Sequence, residues 1–316
     1  MLDIWDKISV VFVVHNSISV IPDSLKSLEN AKHLVVTDNA STDGSADLIK
    51  SLHPNATIIH NSHNSGVSLP CNMAFKKVET EFTLYMNPDI TFDNACIEQL
   101  VHTLEKDANC AVVSPMIYNS NGDQEIDVLG PGEINHRKIE VEPSGPFCSW
   151  FVCGSLWLWR TEALRKIDYL DANIFLYNED VDVCIRATQA GYSLIVDTEA
   201  RIDHKGGASE KPNAKTRWRK DWNITWSHFY LCAKHKNIEA AMMEARWKLM
   251  IFALNVLKGV LLLKPKTVIG QSAKFAATVR FLRKKPSWLR KEWFNPPPWE
   301  ISNKRKSLRY PGRENQ

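Results

Sequence analysis

Four short β-branched runs, each followed by a stretch of helical pattern, fill the first 106 residues and leave few folds open to the chain. Residues 8–14, 33–37, 57–60 and 82–86 read as strands, and residues 21–29, 45–52, 69–78 and 95–106 as helices. Strands that alternate with helices imply βαβ units, hence a parallel sheet with helices on both faces. The strands also end alike, on His15 and Asn16, on Asp38 and Asn39, on Asn61 and Asn64, and on Asn87, Pro88 and Asp89. Open parallel sheets take ligands beyond the carboxyl ends of their strands, so these ends describe one polar crevice. Neither GxGxxG nor GxxxxGKS/T follows the first run, which argues against a dinucleotide fold and a P-loop NTPase. The phosphates of any nucleotide bound here need another counter-charge.

Residues 111–142 read as irregular, with a turn at Asn119, Ser120, Asn121 and Gly122 and a loop at Gly130, Pro131 and Gly132. Residues 147–160 return to strand character around Gly154 and Ser155, whose small side chains let a backbone or ligand come close. The stretch 175–186, FLYNEDVDVCIR, then passes from an aromatic strand into a helix. Asn178 suits the N-cap, and Val181, Cys184, Ile185 and Thr188 recur at helical spacing before Gly191 ends the helix. Asp182 and Arg186 form an i,i+4 pair expected on its flank. Glu179 and Asp180 place adjacent carboxylates at the helix start, where acids complement the helix dipole as readily as they do chemistry. Strands at 192–196 and 200–203 lead to His204 and a loop of Lys205, Gly206 and Gly207.

Charge divides the chain. Residues 1–210 hold 15 Lys and Arg against 30 Asp and Glu, and residues 211–316 hold 24 against 6, so the net +3 hides an acidic body of −15 and a basic tail of +18. Such a tail suits an anionic surface, phospholipid headgroups or nucleic acid. Seven of the eleven tryptophans lie there as well, a composition typical of membrane-interface segments. Trp218, Trp222 and Trp226 form a helical stripe that fits either packing of this helix against the body or an interfacial anchor. Residues 249–263 are strongly apolar but contain Asn255 and Lys258, and they fall short of the roughly 20 residues that span a bilayer. Further charge stands at 283–285 and 304–306, and Pro296 to Pro298 mark an extended end. The seven cysteines show no CxxC pair, which favours reduced thiols over a disulfide framework or a zinc site. The first apolar run follows Asp3 and Asp6 and is too short for a signal peptide.

Six motifs then occur in one order: TDNASTDGS (37–45), HNSGVSLPCN (63–72), YMNPDI (85–90), CGSLWLWR (153–160), FLYNEDVDVCIR and IDHKGG (202–207). In that order they resemble family 2 glycosyltransferases of the GT-A fold, above all the bacterial rhamnosyltransferases that build surface polysaccharide. The resemblance covers about residues 7–210. It implies an α/β, Rossmann-like GT-A domain over 1–210, while the basic, Trp-rich and helical pattern beyond it points to a mainly helical, membrane-associating extension over 211–316. It also implies an inverting, metal-dependent transfer of a sugar, rhamnose from dTDP-rhamnose or another dTDP- or UDP-sugar, to a polyprenyl-linked saccharide at the inner, cytoplasmic face of the cell membrane.

By the same resemblance, Asp38 holds the nucleobase, Asn64 and Asn72 belong to the loop around the nucleotide, and Asn16, Asn87, Gly154 and Ser155 line the nucleotide-sugar site. Asp89 and His204 hold a divalent cation, Mg²⁺ or Mn²⁺, and Asp180 or Glu179 is the general base. Oxygen and imidazole ligands suit such a hard ion better than zinc. Asn87 stands where many relatives have an acid, which keeps open a non-catalytic, glycan-binding scaffold; homo-oligomerisation and nucleic-acid binding by the tail also stay open.

Overall fold

The computed structural model describes residues 3–119, 124–125, 144–204, 213–288 and 290–301. The expected turn residues Ser120, Asn121 and Gly122, the loop 130–132, the Lys205–Gly207 loop and the basic 304–306 run lie outside the described residues. The chain divides into two compact units, 1–212 and 213–316.

The first unit is built on one sheet. Its strands are β1 (Ile8–Val14), β2 (His33–Asp38), β3 (Thr57–His60), β4 (Phe82–Met86), β5 (Ile90–Thr91), β6 (Cys110–Asn119), β7 (Gln124–Glu125), β8 (Phe147–Ser149), β9 (Leu156–Arg160) and β10 (Ser193–His204). The order is β3-β2-β1-β4-β9-β6-β10-β5, with β7 on β6 and β8 on β10. Strands β1 to β4 are parallel, as the alternating pattern predicts. Strand β9 then enters antiparallel between β4 and β6, so the complete sheet is mixed.

Helices α1 (Ile21–Lys26), α2 (Ser45–Leu52), α3 (Ser68–Phe75), α4 (Asn94–Lys106), α5 (Thr161–Lys166) and α6 (Glu179–Gln189) cover both faces. Because strand side chains alternate, Val10, Phe12 and Val14 enter one core with α1, α2 and α4, while Val11 enters another with α3, α5 and α6. Each fully buried side chain of this kind contributes about 1.5–3 kcal/mol by leaving water.

Three expectations need correction. Residues 110–119 form a ten-residue strand rather than irregular chain. Pro115 reads as a breaker, and the ladder accommodates it: β10 pairs Asp197 with Pro115 and next Arg201 with Met116, bulging out the residues between. The same bulge makes one strand of the two expected at 192–196 and 200–203. The Asp182–Arg186 pair, expected on a flank, is inside. Asp182 is fully buried, accepts from Arg186 Nε at 2.7 Å, and Arg186 also donates to the carbonyls of Ile167 and Tyr169.

The second unit holds α7 (Ala214–Leu231), a π-helical turn (Cys232–Lys236), α8 (Ile238–Leu261), α9 (Pro265–Leu282) and α10 (Pro298–Ile301). Asn213 starts α7 with a reciprocal capping box to Thr216. The tryptophan stripe packs within this unit. Trp222 and Trp226 are buried, Trp218 and Trp222 meet Trp288, and Trp226 stacks on Tyr230 beside Trp293. No helix among the described residues is long and apolar enough to cross a membrane. Helix α8 differs from the rest of the unit in what it leaves outside: Met243, Trp247, Met250, Leu254, Leu257 and Leu261 are all exposed, at alternating spacings of four and three.

Candidate active site

The carboxyl ends of β1, β2 and β3 are tied together by side chains the sequence placed there. Asp38 accepts from the Ser41 amide at 2.9 Å and lies 3.2 Å from His60 Nδ1. Asn16, with φ of 51°, accepts from the Thr42 amide at 2.8 Å and so braces the loop after β2. The organising residue is Asn39, which the motif reading passed over. Buried at 2% exposure, it donates to Asn64 Oδ1 and the Gly66 carbonyl and accepts from Asn61 Nδ2 and the Ser65 amide. The signal was its place on a polar strand end beside Asp38; a carboxamide with a donor and an acceptor end can hold a loop from both sides.

That loop is pressed against the opening of the FLYNED segment. Gly66 has φ of 89°, and a Cβ there would stand 2.0 Å from the Phe175 carbonyl oxygen, while the Val67 amide donates to the same carbonyl at 2.7 Å. Only a glycine permits so close an approach. Asn72 turns inward instead. Its Nδ2 donates to the Leu170 carbonyl at 2.7 Å and its Oδ1 accepts from the Leu170 amide at 3.0 Å, so the carboxamide fixes the chain leading to α6.

The remaining candidates form a contiguous row. The Asn87 amide donates to the Ser155 carbonyl at 2.9 Å, and Asn87 Oδ1 accepts from the Tyr85 hydroxyl at 3.0 Å. A Cβ on neighbouring Gly154 would lie 3.3 Å from Asp180 Cβ and 3.0 Å from the Trp157 ring, so only a glycine leaves this spacing comfortable. Two residues beyond Asn87, the buried Asp89 places Oδ1 3.6 Å from His204 Nε2, and a short antiparallel pairing of Ile90 with His204 holds the two together. A divalent ion with bonds of about 2.1 Å can bridge oxygen and imidazole ligands at this separation, so the pair fits the metal the resemblance implies.

Entry into α6 is strained. Tyr177 and Asn178 are consecutive left-handed residues, with φ of 67° and 65°. Non-glycine residues hold that conformation only when their surroundings impose it. Asn178 occupies the N-cap position as expected, but in this conformation its side chain makes no capping bond. The turn separates the two acids. Asp180 Oδ1 accepts from the Val181 amide at 2.8 Å, whereas Glu179 directs its carboxyl inward, where Oε2 is buried with no hydrogen-bond partner among the described residues. Burial, and then the charge of Asp180, push the Glu179 carboxyl up to about 8.

Two hollows, of about 410 Å³ by Trp150 and Tyr192 and about 500 Å³ by Tyr118 and Arg201, lie off this row of residues.

Residues 9–168, half of the chain, match the profile described as Glycosyl transferase family 2. The chain belongs to that family. Among curated members, the low-salt glycan biosynthesis hexosyltransferase Agl10 of Haloferax volcanii is 24% identical over 199 residues, which cover 60% of this chain and 64% of that one. The chain therefore spans just under two thirds of that relative's length. The N-acetylglucosaminyl-diphospho-decaprenol L-rhamnosyltransferase of Mycobacterium tuberculosis is 23% identical over 218 residues, or 59% of this chain and 71% of that one. In architecture the chain is similar to the mannosyltransferase PcManGT of Pyrobaculum calidifontis, solved with GDP-Man and Mn²⁺, at a TM-score of 0.54, 17% identity and 88% coverage of each chain. The fold of the family 2 domain is thus GT-A, with a helical C-terminal part.

Proposed function

We propose that the chain is an inverting, divalent-metal-dependent glycosyltransferase that moves a sugar from a nucleoside-diphosphate donor to a lipid-linked saccharide. The observation that carries this reading is the row Asp180, Gly154, Ser155, Asn87, Asp89 and His204, linked neighbour to neighbour at the strand ends of a family 2 domain. Asp38, Asn16 and the Asn39-braced loop with Asn64 form the nucleoside side of the crevice. Asp89 and His204 would hold the ion, which would supply positive charge to the leaving diphosphate.

Of the two acids, Asp180 is the base. Glu179 keeps its proton at neutral pH, so the ionised carboxylate of the pair is the one beside Gly154. Asp180 accepts the proton of the acceptor hydroxyl as that oxygen attacks the anomeric carbon from the face opposite the leaving diphosphate. An ordinary aspartate, with pKa of about 3.9, is too weak to deprotonate a sugar hydroxyl beforehand, so proton transfer accompanies bond formation.

The preferred donor is dTDP-rhamnose and the preferred acceptor a polyprenyl-linked glycan at the inner membrane face. The motif order and the rhamnosyltransferase relative favour the sugar, and the exposed apolar stripe of α8 in a basic tail favours the membrane. Incubation with dTDP-rhamnose, UDP- and GDP-sugars, Mn²⁺ or Mg²⁺, and polyprenyl-diphosphate saccharides tests this. Release of nucleoside diphosphate that needs both acceptor and ion is expected. Absence of release with every donor and acceptor refutes the reading.

A further inference from the structure

The cysteine pattern argues against zinc because no CxxC pair exists, but the fold assembles a thiol-containing cluster by another route. His228 and Cys232 stand four residues apart at the end of α7 and so share one helix face. Cys232 opens the π-helical turn, a local widening that recurs where helices carry function. Asn237 then starts α8 by accepting from the Ala240 amide, and Glu244 reaches back from two turns further on.

The three side chains meet at one point. His228 Nε2 is 3.0 Å from Glu244 Oε1 and 3.8 Å from Cys232 Sγ, and Cys232 Sγ is 3.9 Å from Glu244 Oε2. One ligand atom from each lies within 4.8 Å of the other two. A tetrahedral zinc ion, with Zn–S of about 2.3 Å and Zn–N or Zn–O of about 2.0 Å, sets ligand-to-ligand edges of roughly 3.3–3.6 Å. The His228–Cys232 separation is within a few tenths of an ångström of those edges, whereas the two short contacts of Glu244 are made by different oxygens, so around an ion one of them has to move toward both partners.

We propose that His228, Cys232 and Glu244 form a second metal site, of the zinc class, that clasps α7 to α8 and leaves a fourth position open to solvent. Thiolate and imidazole ligands select a borderline-soft ion, in contrast to the oxygen and imidazole pair at Asp89 and His204. Access is available, since the His228 and Glu244 side chains retain 38% and 36% exposure while Cys232 is buried behind them. A His–Glu hydrogen bond alone accounts for the first distance, but not for a buried thiol at the third corner.

Charge is conserved in the exchange. Written with an imidazolium, a carboxylate and a thiol, the metal-free cluster carries no net charge. Binding one Zn²⁺ expels the imidazolium proton and the thiol proton, leaving neutral imidazole, thiolate, carboxylate and dication. The net charge is zero before and after. Lys236 and Lys248, which face Glu244, therefore meet no added positive charge. The site does not depend on the transferase reading.

The test uses the full chain, purified without a metal-binding tag and stripped by chelator and dialysis. Titration with Co²⁺ should produce a thiolate-to-cobalt charge-transfer band that saturates at one ion per chain and is displaced by Zn²⁺. Co²⁺ held by Asp89 and His204 gives no thiolate band, so the two sites separate by spectrum. Cys232→Ser should abolish the band, and Glu244→Gln should weaken Zn²⁺ binding at least about tenfold, since even removal of a ligand's outer support costs that much. If Cys232→Ser does not fold, His228→Gln serves, with the same tenfold or greater loss expected. A wild-type chain that is folded by circular dichroism yet gives no band, or a band unchanged in Cys232→Ser, overturns the proposal.

Discussion

Helices α6 and α8 each put side chains where solvation disfavours them, in opposite senses. At the start of α6 a carboxyl is inside, and along α8 a stripe of Met, Trp and Leu is outside. Burying a carboxylate is so costly that the group keeps its proton instead, as Glu179 does up to about 8. Leaving a leucine in water forgoes about 1.5–3 kcal/mol of burial, and no change of protonation relieves that. The first anomaly is thus answered within the chain, while the second is answered only by a surface that covers the stripe. The first therefore points to chemistry at a crevice and the second to a place of attachment.

Asp180→Asn gives the largest effect. General-base catalysis contributes about 10²–10⁴-fold, so turnover should fall by that order while donor still raises the melting temperature as in the wild type. Single-turnover rates alongside thermal shift with dTDP-rhamnose make the measurement. A larger loss of turnover in Glu179→Gln than in Asp180→Asn would exchange the roles of the two acids and remove the contrast between them.

A double substitution on α8, Leu254→Lys with Leu257→Lys, comes next. Both leucines are exposed, at 65% and 56%, so the melting temperature should hold. Sedimentation with anionic vesicles should weaken more than about tenfold, because two leucines that no longer leave water forfeit a few kcal/mol between them. Wild-type binding should also weaken with added salt, as charges of the basic tail are screened beyond about 10 Å at 0.1 M. Unchanged vesicle binding in the variant would refute α8 as a lipid-binding face.

How much of this was legible depended on whether a signal was local. Strands β1 to β4 and their polar ends stood in the sequence because a parallel βαβ series repeats one pattern within about 30 residues. Strand β6 did not, since Pro115 imitates a breaker and only the bulge in distant β10 absorbs it. Asp89 and His204 are 115 positions apart, and nothing short of the family's motif order could bring them together. The inward turn of Glu179 was hidden for another reason. Two residues in left-handed conformation set it, and neither Tyr177 nor Asn178 announces that conformation as a glycine would. The tryptophan stripe was visible, but its direction depended on Trp288 and Trp293, more than 60 residues further on.

The contrast between the helices finally turns on the proton of Glu179, which stability can read without any substrate. In the unfolded chain this carboxyl loses its proton near the ordinary value of 4.5, whereas in the fold it keeps it to about 8. Between those values the folded state binds the extra proton, so this group's contribution to stability declines as pH rises from about 4.5 to about 8 and then levels off. Gln at 179 is neutral throughout and has no such decline. The stability of Glu179→Gln relative to wild type should therefore grow across that window, in urea melts taken at about pH 5, about pH 6.5 and about pH 9. Parallel curves for the two proteins would mean that Glu179 is ionised in the fold. Two adjacent carboxylates would then both face the crevice, and Asp180 would lose the protonation argument for its role as base.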